Sequence, residues 1–377
     1  MQVVVIGGGV IGSSIAYYLR RAEIDVTIVE RGRSGGGASA AAAGMLAPLA
    51  ESPDPGPFTR LALAGLHAFK EQAEAIIAES GIDFEYRRDG VLRVAESDAE
   101  TAPLQALLAW QAGSGVAVQW LDGPEVHRLE PAIAARVLGA LYTPGEGHVN
   151  PARLNEALAT AAVHRGAHLI EGSSVEELVI ERDRVTSVRH TDGHLNADYV
   201  VFAAGAWAGL WQQHLQLPLP VFPVRGQMAA VGQTPPPIRH IVYSRDGYLV
   251  PKADGSIFIG ATEEEAAGYD PRVTVAGLRW LLSAAERLVP VLSEATYLRS
   301  WAGLRPCSAD HLPLLGPLPT LANVSLATGH FRNGILLSLI TGQLIAQQIS
   351  SGKTPPELLP FSPARFLQPE QGVKAPC

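Results

Sequence analysis

Gln2-Val3-Val4-Val5-Ile6-Gly7-Gly8-Gly9-Val10-Ile11-Gly12 opens the chain, and Asp25-Val26-Thr27-Ile28-Val29-Glu30 follows closely. Residues 2–6 read as a short buried strand. Ile11, Ile15 and Leu19 then recur at helical spacing. Residues 25–29 read as a second strand that ends at Glu30. Strand, glycine turn, helix and strand make one βαβ unit. Gly7, Gly9 and Gly12 form G-x-G-x-x-G within it, in the context that gives this pattern meaning. Gly7 permits the tight turn. Gly9 lets a pyrophosphate approach the N–H groups of Val10, Ile11 and their neighbours at the helix N-terminus, where the dipole favours anions. Gly12 lets helix and strand pack closely. Glu30 is placed to accept hydrogen bonds from ribose hydroxyls. The pattern alone does not choose between NAD and FAD. No second copy occurs in the chain, which favours a flavin that takes electrons directly from substrate.

Outward from this unit, residues 32–44 read as a loop of small residues and 58–79 as an amphipathic helix capped by Gly81. Residues 84–94 look like paired strands turning at Asp89-Gly90. Helices are expected over 98–112, 151–165 (Asn150 as N-cap, Pro151 at its first position), 274–289 and 335–349. Strands are expected between 168 and 202, with turns at Asp183-Arg184 and Asp192-Gly193, and over 222–230, 240–250, 256–261 and 324–327. Strand–helix units at both ends enclose a β-rich middle. The expected fold is α/β: a Rossmann-like cofactor domain interwoven with a mixed, mainly antiparallel β-sheet domain. The division runs 1–83, 145–219 and 306–367 for the first and 84–144 and 220–305 for the second. Residues 368–377 are expected to form a frayed tail.

Composition narrows the function classes. The chain has 377 residues, a net charge of −8, 38 glycines and 28 prolines. That length holds a sizeable core, and the acidic balance opposes nucleic-acid binding. Cys307 and Cys377 are the only cysteines, which excludes a disulfide framework or a Cys-rich metal site. No signal peptide is visible, and the apolar run at 335–340 is too short to span a membrane; the expectation is a cytoplasmic protein. Ser34 lies in a G-x-S-x-G match, but Gly35-Gly36-Gly37 would not start the helix a nucleophile elbow needs. The pairs His164/His168 and His190/His194 are each broken by a turn, so no metal is expected.

Four stretches resemble one family: residues 5–12, the loop Ser39-Ala40-Ala41-Ala42-Ala43-Gly44-Met45-Leu46, Trp301-Ala302-Gly303-Leu304-Arg305-Pro306, and Gly329-His330-Phe331-Arg332-Asn333-Gly334-Ile335-Leu336-Leu337. They are similar to the D-amino-acid oxidase superfamily of FAD-dependent oxidoreductases, and within it to the glycine-oxidase branch of the thiamine pathway. The likeness runs over residues 2–350. It implies a noncovalent FAD lined by Glu30, Arg31, Ser39, Ala43, Gly44 and Met45, with Val175 at the adenine. Ala204, Gly205 and Trp207 follow a strand in the family's second flavin turn. His330, Phe331, Arg332, Asn333, Gly334, Ile335 and Leu336 should wrap the flavin edge. A helix beginning near Gly334 would then aim its N-terminus at the ring.

A small amino acid needs its carboxylate held, and an arginine fork suits it. Arg305, flanked by Leu304 and Pro306, is the first candidate; a protein carboxylate as its partner is the alternative. Arg332 is the second, contacting either substrate or only the flavin loop. Tyr248 matches the tyrosine that faces substrate in this family, and Met45 lies on the same side. Glu263 stands where a glycine oxidase has an apolar residue. Cys307 is expected to be a free thiol.

The resemblance implies oxidative deamination of glycine, sarcosine or D-alanine to a 2-oxo acid, ammonia and hydrogen peroxide, with molecular oxygen as acceptor. It also implies a homotetramer without nucleic-acid or membrane partners. Alternatives are a D-amino-acid dehydrogenase that passes electrons to a quinone, a tRNA-modifying flavoprotein, and a flavin-binding subunit without catalysis.

Overall fold

In a computed structural model of the protein, residues 1–52 and 54–367 are described; the tail expected from residue 368 lies outside them. Strand β1 (Gln2–Ile6), helix α1 (Val10–Arg21) and strand β2 (Asp25–Val29) form the βαβ unit, with β1 and β2 parallel. Val3, Val4 and Val5 are fully buried. That fits a parallel strand covered on both faces, and each such side chain contributes about 1.5–3 kcal/mol of burial. β1 lies inside a six-stranded sheet, between Tyr199–Phe202 and β2. His168–Ile170 and Val324–Thr328 extend it in parallel, and Leu314–Pro317 closes one edge antiparallel. Helices Pro151–His164 and Ser338–Ser351 pack against α1.

A second, eight-stranded sheet is built from Val91–Ala95, Gln119–Asp122, Gly139–Thr143, Val221–Gly232, Ile241–Ser244, Gly247–Pro251, Ser256–Gly260 and Thr296–Ser308. Its pairings are antiparallel except for Ile241–Ser244 beside Val91–Ala95. The chain enters this sheet, leaves it and returns. The α/β class, with a glycine-turn parallel sheet interwoven with a mainly antiparallel one, is therefore the observed architecture.

Several local expectations change. Residues 84–94 are not a hairpin: only Val91–Ala95 is a strand, and Arg87 makes an isolated bridge to His148. Phe84 belongs to the core under the parallel sheet, whereas Leu92 and Val94 belong to the core of the eight-stranded sheet. The two halves are pulled into different cores and do not fold back on each other. Residues 240–250 form two strands around Arg245-Asp246, because the Ser244 hydroxyl accepts the Asp246 N–H (3.3 Å) and donates to the Gly247 carbonyl (3.1 Å). The turns expected at Asp183-Arg184 and Asp192-Gly193 each fall one residue earlier, since Arg184 and Gly193 already pair in the ladder. The last long helix begins at Ser338, after a 3₁₀ turn at Phe331–Asn333. Gly334 is therefore not its N-terminus.

Candidate active site

A cleft of about 680 Å³ opens where the two sheets meet. Its floor is the glycine turn. Gly7 has φ +108°, and a Cβ there would lie 2.4 Å from the Ala203 carbonyl oxygen. A Cβ on Gly12 would lie 1.9 Å from the Gly7 carbonyl oxygen, so Gly12 sits behind the cleft and sets the helix–turn packing. Gly9 is the N-cap of α1. Gly9 has no side chain of its own to cap the helix, and the first turn carries no acidic residue. The positive end of a 12-residue helix thus faces the cleft with room for an anion. Ser39 Oγ accepts the Val10 N–H (3.0 Å), fixing the small-residue loop across this end.

Glu30 ends β2, and its carboxylate accepts the N–H groups of Gly8 (2.7 Å) and Gly32 (2.8 Å). Arg31 lies over the Trp207 ring at 3.5 Å. Val175, Ala204 and Gly205 complete this end, and His330, Phe331, Asn333, Gly334 and Ile335 the other. Leu336 lies outside the lining, buried with its carbonyl against Gly65. His330 is buried, its Nε2 3.2 Å from Thr341 Oγ1, and burial pushes its pKa down to about 3. Ser34 Oγ donates to the Gly8 carbonyl (2.8 Å) and accepts from Asn155 Nδ2 (2.9 Å), a turn-bracing role. Cys307 is a buried free thiol, pushed up to about 12 chiefly by burial. The N-terminus of α1 facing the cleft, the glycine floor and Glu30 fit a dinucleotide.

Met45, Tyr248, Arg305 and Arg332 gather at the inner end, all lining the cleft. Arg305 stands on Thr296–Ser308 opposite Val224. Its Nη1 donates to the Thr262 carbonyl (2.9 Å). Among the described residues no carboxylate forms an ion pair with it. A Cβ on Gly226 would stand 2.4 Å from Arg305 Cζ, so glycine there makes space for the guanidinium. Arg332 differs. Its Nη2 meets Glu51 Oε1 (3.0 Å) and donates to the Tyr243 hydroxyl (2.6 Å), while Nη1 meets Glu263 Oε2 (3.3 Å). The Glu51 carboxylate raises its pKa further above the ordinary arginine value. Tyr243 and Tyr248 stack at 6.1 Å, and burial raises both phenols. Glu263 lines a neighbouring hollow that shares Tyr248, Arg305 and Arg332 with the cleft.

Sequence reading missed Glu51, Tyr243, Gly226 and Lys252. Glu51 lies far along the chain from Arg332, and no local pattern announces their meeting. Lys252 is buried and donates from Nζ to the carbonyls of Ala43 (2.6 Å) and Val149 (3.1 Å). It fastens the Ala43-Gly44-Met45 turn from behind. Burial pushes its pKa from 10.5 down to about 7. Between those values the unfolded chain holds a proton that the folded one has released, so this group adds stability as pH rises through that window. Melting temperatures at pH 7 and 9.5 should show that gain, and Lys252→Met should flatten it. An unchanged slope in the variant would assign the pH dependence to other groups.

A family model described as FAD dependent oxidoreductase matches residues 2–348. The chain is 38% identical to a glycine oxidase of Geobacillus kaustophilus, over 97% of each protein. It is 37% identical, over 97% of its own length and 54% of the relative's, to the bifunctional protein ThiO/ThiG of Synechocystis. The crystal structure of glycine oxidase from Geobacillus kaustophilus superposes with a TM-score of 0.92 at 36% identity, over 96% of this chain and 98% of that one.

Proposed function

The chain belongs to the FAD-dependent oxidoreductase family, and on that premise we propose that it oxidises glycine, and small amines such as sarcosine or D-alanine, with molecular oxygen. The products are the 2-oxo acid, ammonia (methylamine from sarcosine) and hydrogen peroxide. FAD, when bound, supplies the two-electron oxidation. The observation that carries the substrate reading is Arg305: a guanidinium at the cleft with no carboxylate partner among the described residues. Such a group calls for an anion, and a planar carboxylate fits its fork.

In this reading Arg305 binds the substrate carboxylate, and the Thr262 carbonyl holds Nη1 so that the remaining donors face the ligand. Tyr248 walls the substrate against the cofactor side. Arg332 is already answered by Glu51 and Glu263 and acts as a positioning residue that closes the inner end. Glu51 is engaged by Arg332 and by the Tyr243 hydroxyl (3.2 Å), so it is not a free base. The amine proton therefore passes to solvent, and substrate reacts as the neutral amine. Orientation is the main contribution of these side chains.

The match of this chain to about half the length of the bifunctional ThiO/ThiG relative supports a role in supplying thiazole synthesis for thiamine. Cytoplasmic placement and a homotetramer without membrane or nucleic-acid partners complete the proposal. The net charge of −8 supports the last point, and no helix among the described residues is long and apolar enough to cross a membrane.

Anaerobic mixing of the purified yellow protein with glycine tests the activity. Flavin absorbance should fall, then recover on admitting oxygen with stoichiometric peroxide. Bleaching that recovers only with a quinone dye would replace the oxidase with a dehydrogenase. No bleaching would remove glycine as substrate.

A further inference from the structure

The hollow beside the inner cleft has a volume of about 490 Å³, far more than a two-carbon amino acid fills. It adjoins the place where Arg305 would hold the substrate carboxylate, so it faces whatever the substrate carries beyond its amine. Its charges are largely answered. Asp246 pairs with Arg287 (2.7 Å), Glu264 with Arg225 (2.6 Å), and Arg332 with Glu51, which lies outside the hollow (3.0 Å). Glu263 is the exception. Its one ion-pair partner among the described residues is Arg332, at 3.3 Å, and that guanidinium is held more closely by Glu51 and by Tyr243. The Glu263 side chain is 42% exposed, so it can turn toward a ligand without unfolding anything. Arg245 also borders the hollow, from the Arg245-Asp246 turn, but among the described residues no hydrogen bond or ion pair ties it to Arg305 or Arg332, whereas Glu263 lies against Arg332 on the wall shared with the cleft. Once a substrate carboxylate satisfies Arg305, the charge left least answered on the wall shared with the cleft is the Glu263 carboxylate.

We propose that Glu263 makes this hollow a subsite for a cationic substituent on the substrate, so that the site takes N-substituted glycines with a positively charged arm in preference to those with an anionic arm. This rests on the amino-acid oxidase reading above. The reaction keeps its balance whatever the arm: R–NH–CH₂–COO⁻, oxygen and water give R–NH₂, glyoxylate and hydrogen peroxide. The C–H and N–H bonds are oxidised, oxygen takes both electrons and both protons, and water cleaves the imine. Glyoxylate is common to every such substrate and gives one readout.

The test compares kcat/KM for glycine, N-(2-aminoethyl)glycine, N-propylglycine and N-(carboxymethyl)glycine in the holoenzyme and in Glu263→Gln. Expected is a preference of about fivefold or more for the aminoethyl over the carboxymethyl arm, the size of a partly exposed charge contact, and its collapse in Glu263→Gln. Calorimetric binding of the unreactive ethers (2-aminoethoxy)acetate and oxydiacetate should show the same order without turnover. A preference for the carboxymethyl arm, or a ratio that Glu263→Gln leaves unmoved, would overturn the subsite. Failure of the unsubstituted enzyme to oxidise glycine would overturn the oxidase reading instead, and the two results are distinct.

Discussion

Replacing Arg305 with alanine is expected to lower kcat/KM for glycine by about 10²–10³-fold while FAD stays bound. Truncating one partner of a desolvated, hydrogen-bonded charge pair costs about 2–5 kcal/mol, and every 1.4 kcal/mol is about tenfold. The loss should fall chiefly on KM, because the carboxylate is bound alike before and during reaction. Fold and cofactor should survive. Arg305 donates to the Thr262 carbonyl and makes no ion pair among the described residues. Arg305→Lys should recover part of the loss, since an ammonium keeps the charge without the fork. Gly226→Ala should reproduce part of it, because its methyl would stand 2.4 Å from Arg305 Cζ. Steady-state kinetics with the flavin content measured on the same samples decide the matter. An unchanged kcat/KM in Arg305→Ala would remove this residue from the substrate site.

The second large effect is expected from Gly12→Ala. Its methyl would lie 1.9 Å from the Gly7 carbonyl oxygen. That is a clash between two backbone-anchored atoms, which no rotamer relieves. Overpacking of flexible core side chains costs about 1–3 kcal/mol; a collision with backbone should cost at least the upper value. The cost falls on the turn that cradles the cofactor, because Gly7, whose carbonyl the methyl would strike, lines the cleft. The variant should be isolated colourless or insoluble. Gly113→Ala is the control: its methyl would meet nothing nearer than the Trp110 carbonyl oxygen at 3.5 Å, so the protein should remain yellow. Flavin absorbance relative to protein absorbance reads both. A yellow, stable Gly12→Ala protein would show that the turn can shift, and the argument from close packing would fail.

Arg332→Ala should differ from Arg305→Ala in kind. It leaves Glu51, only 11% exposed, without its cation. Stability should therefore fall more than substrate affinity, the reverse of the Arg305 pattern.

The glycine turn, its strands and Glu30 were legible along the chain because their physics is local. A turn that needs positive φ, a glycine at a helix N-cap and a buried parallel strand each leave a signature within a few residues. Arg305 could be singled out for a related reason, since a guanidinium among apolar neighbours demands a partner wherever it lies, and the fold sets it in the cleft lining. The 84–94 segment was misread because its turn residues are those of a hairpin, while Phe84 and Leu92 are drawn into separate cores. The shift of the last helix to Ser338 has a similar origin, with Gly334 spent on the cleft wall.

By itself the sequence determined the βαβ unit, the dinucleotide cradle and the α/β class, because each rests on neighbours in the chain. Only the tertiary structure decided which arginine is free. Glu51, Tyr243, Glu263 and Arg332 come from four separate stretches, and their meeting neutralises Arg332, while Arg305 has no carboxylate partner among the described residues. It likewise placed Lys252 behind the Ala43 turn and Glu263 at the mouth of the hollow. Those assignments depend on distances between elements. Hydrophobic periodicity specifies which face of an element is buried; it carries no information on which polar side chain of another element will stand opposite.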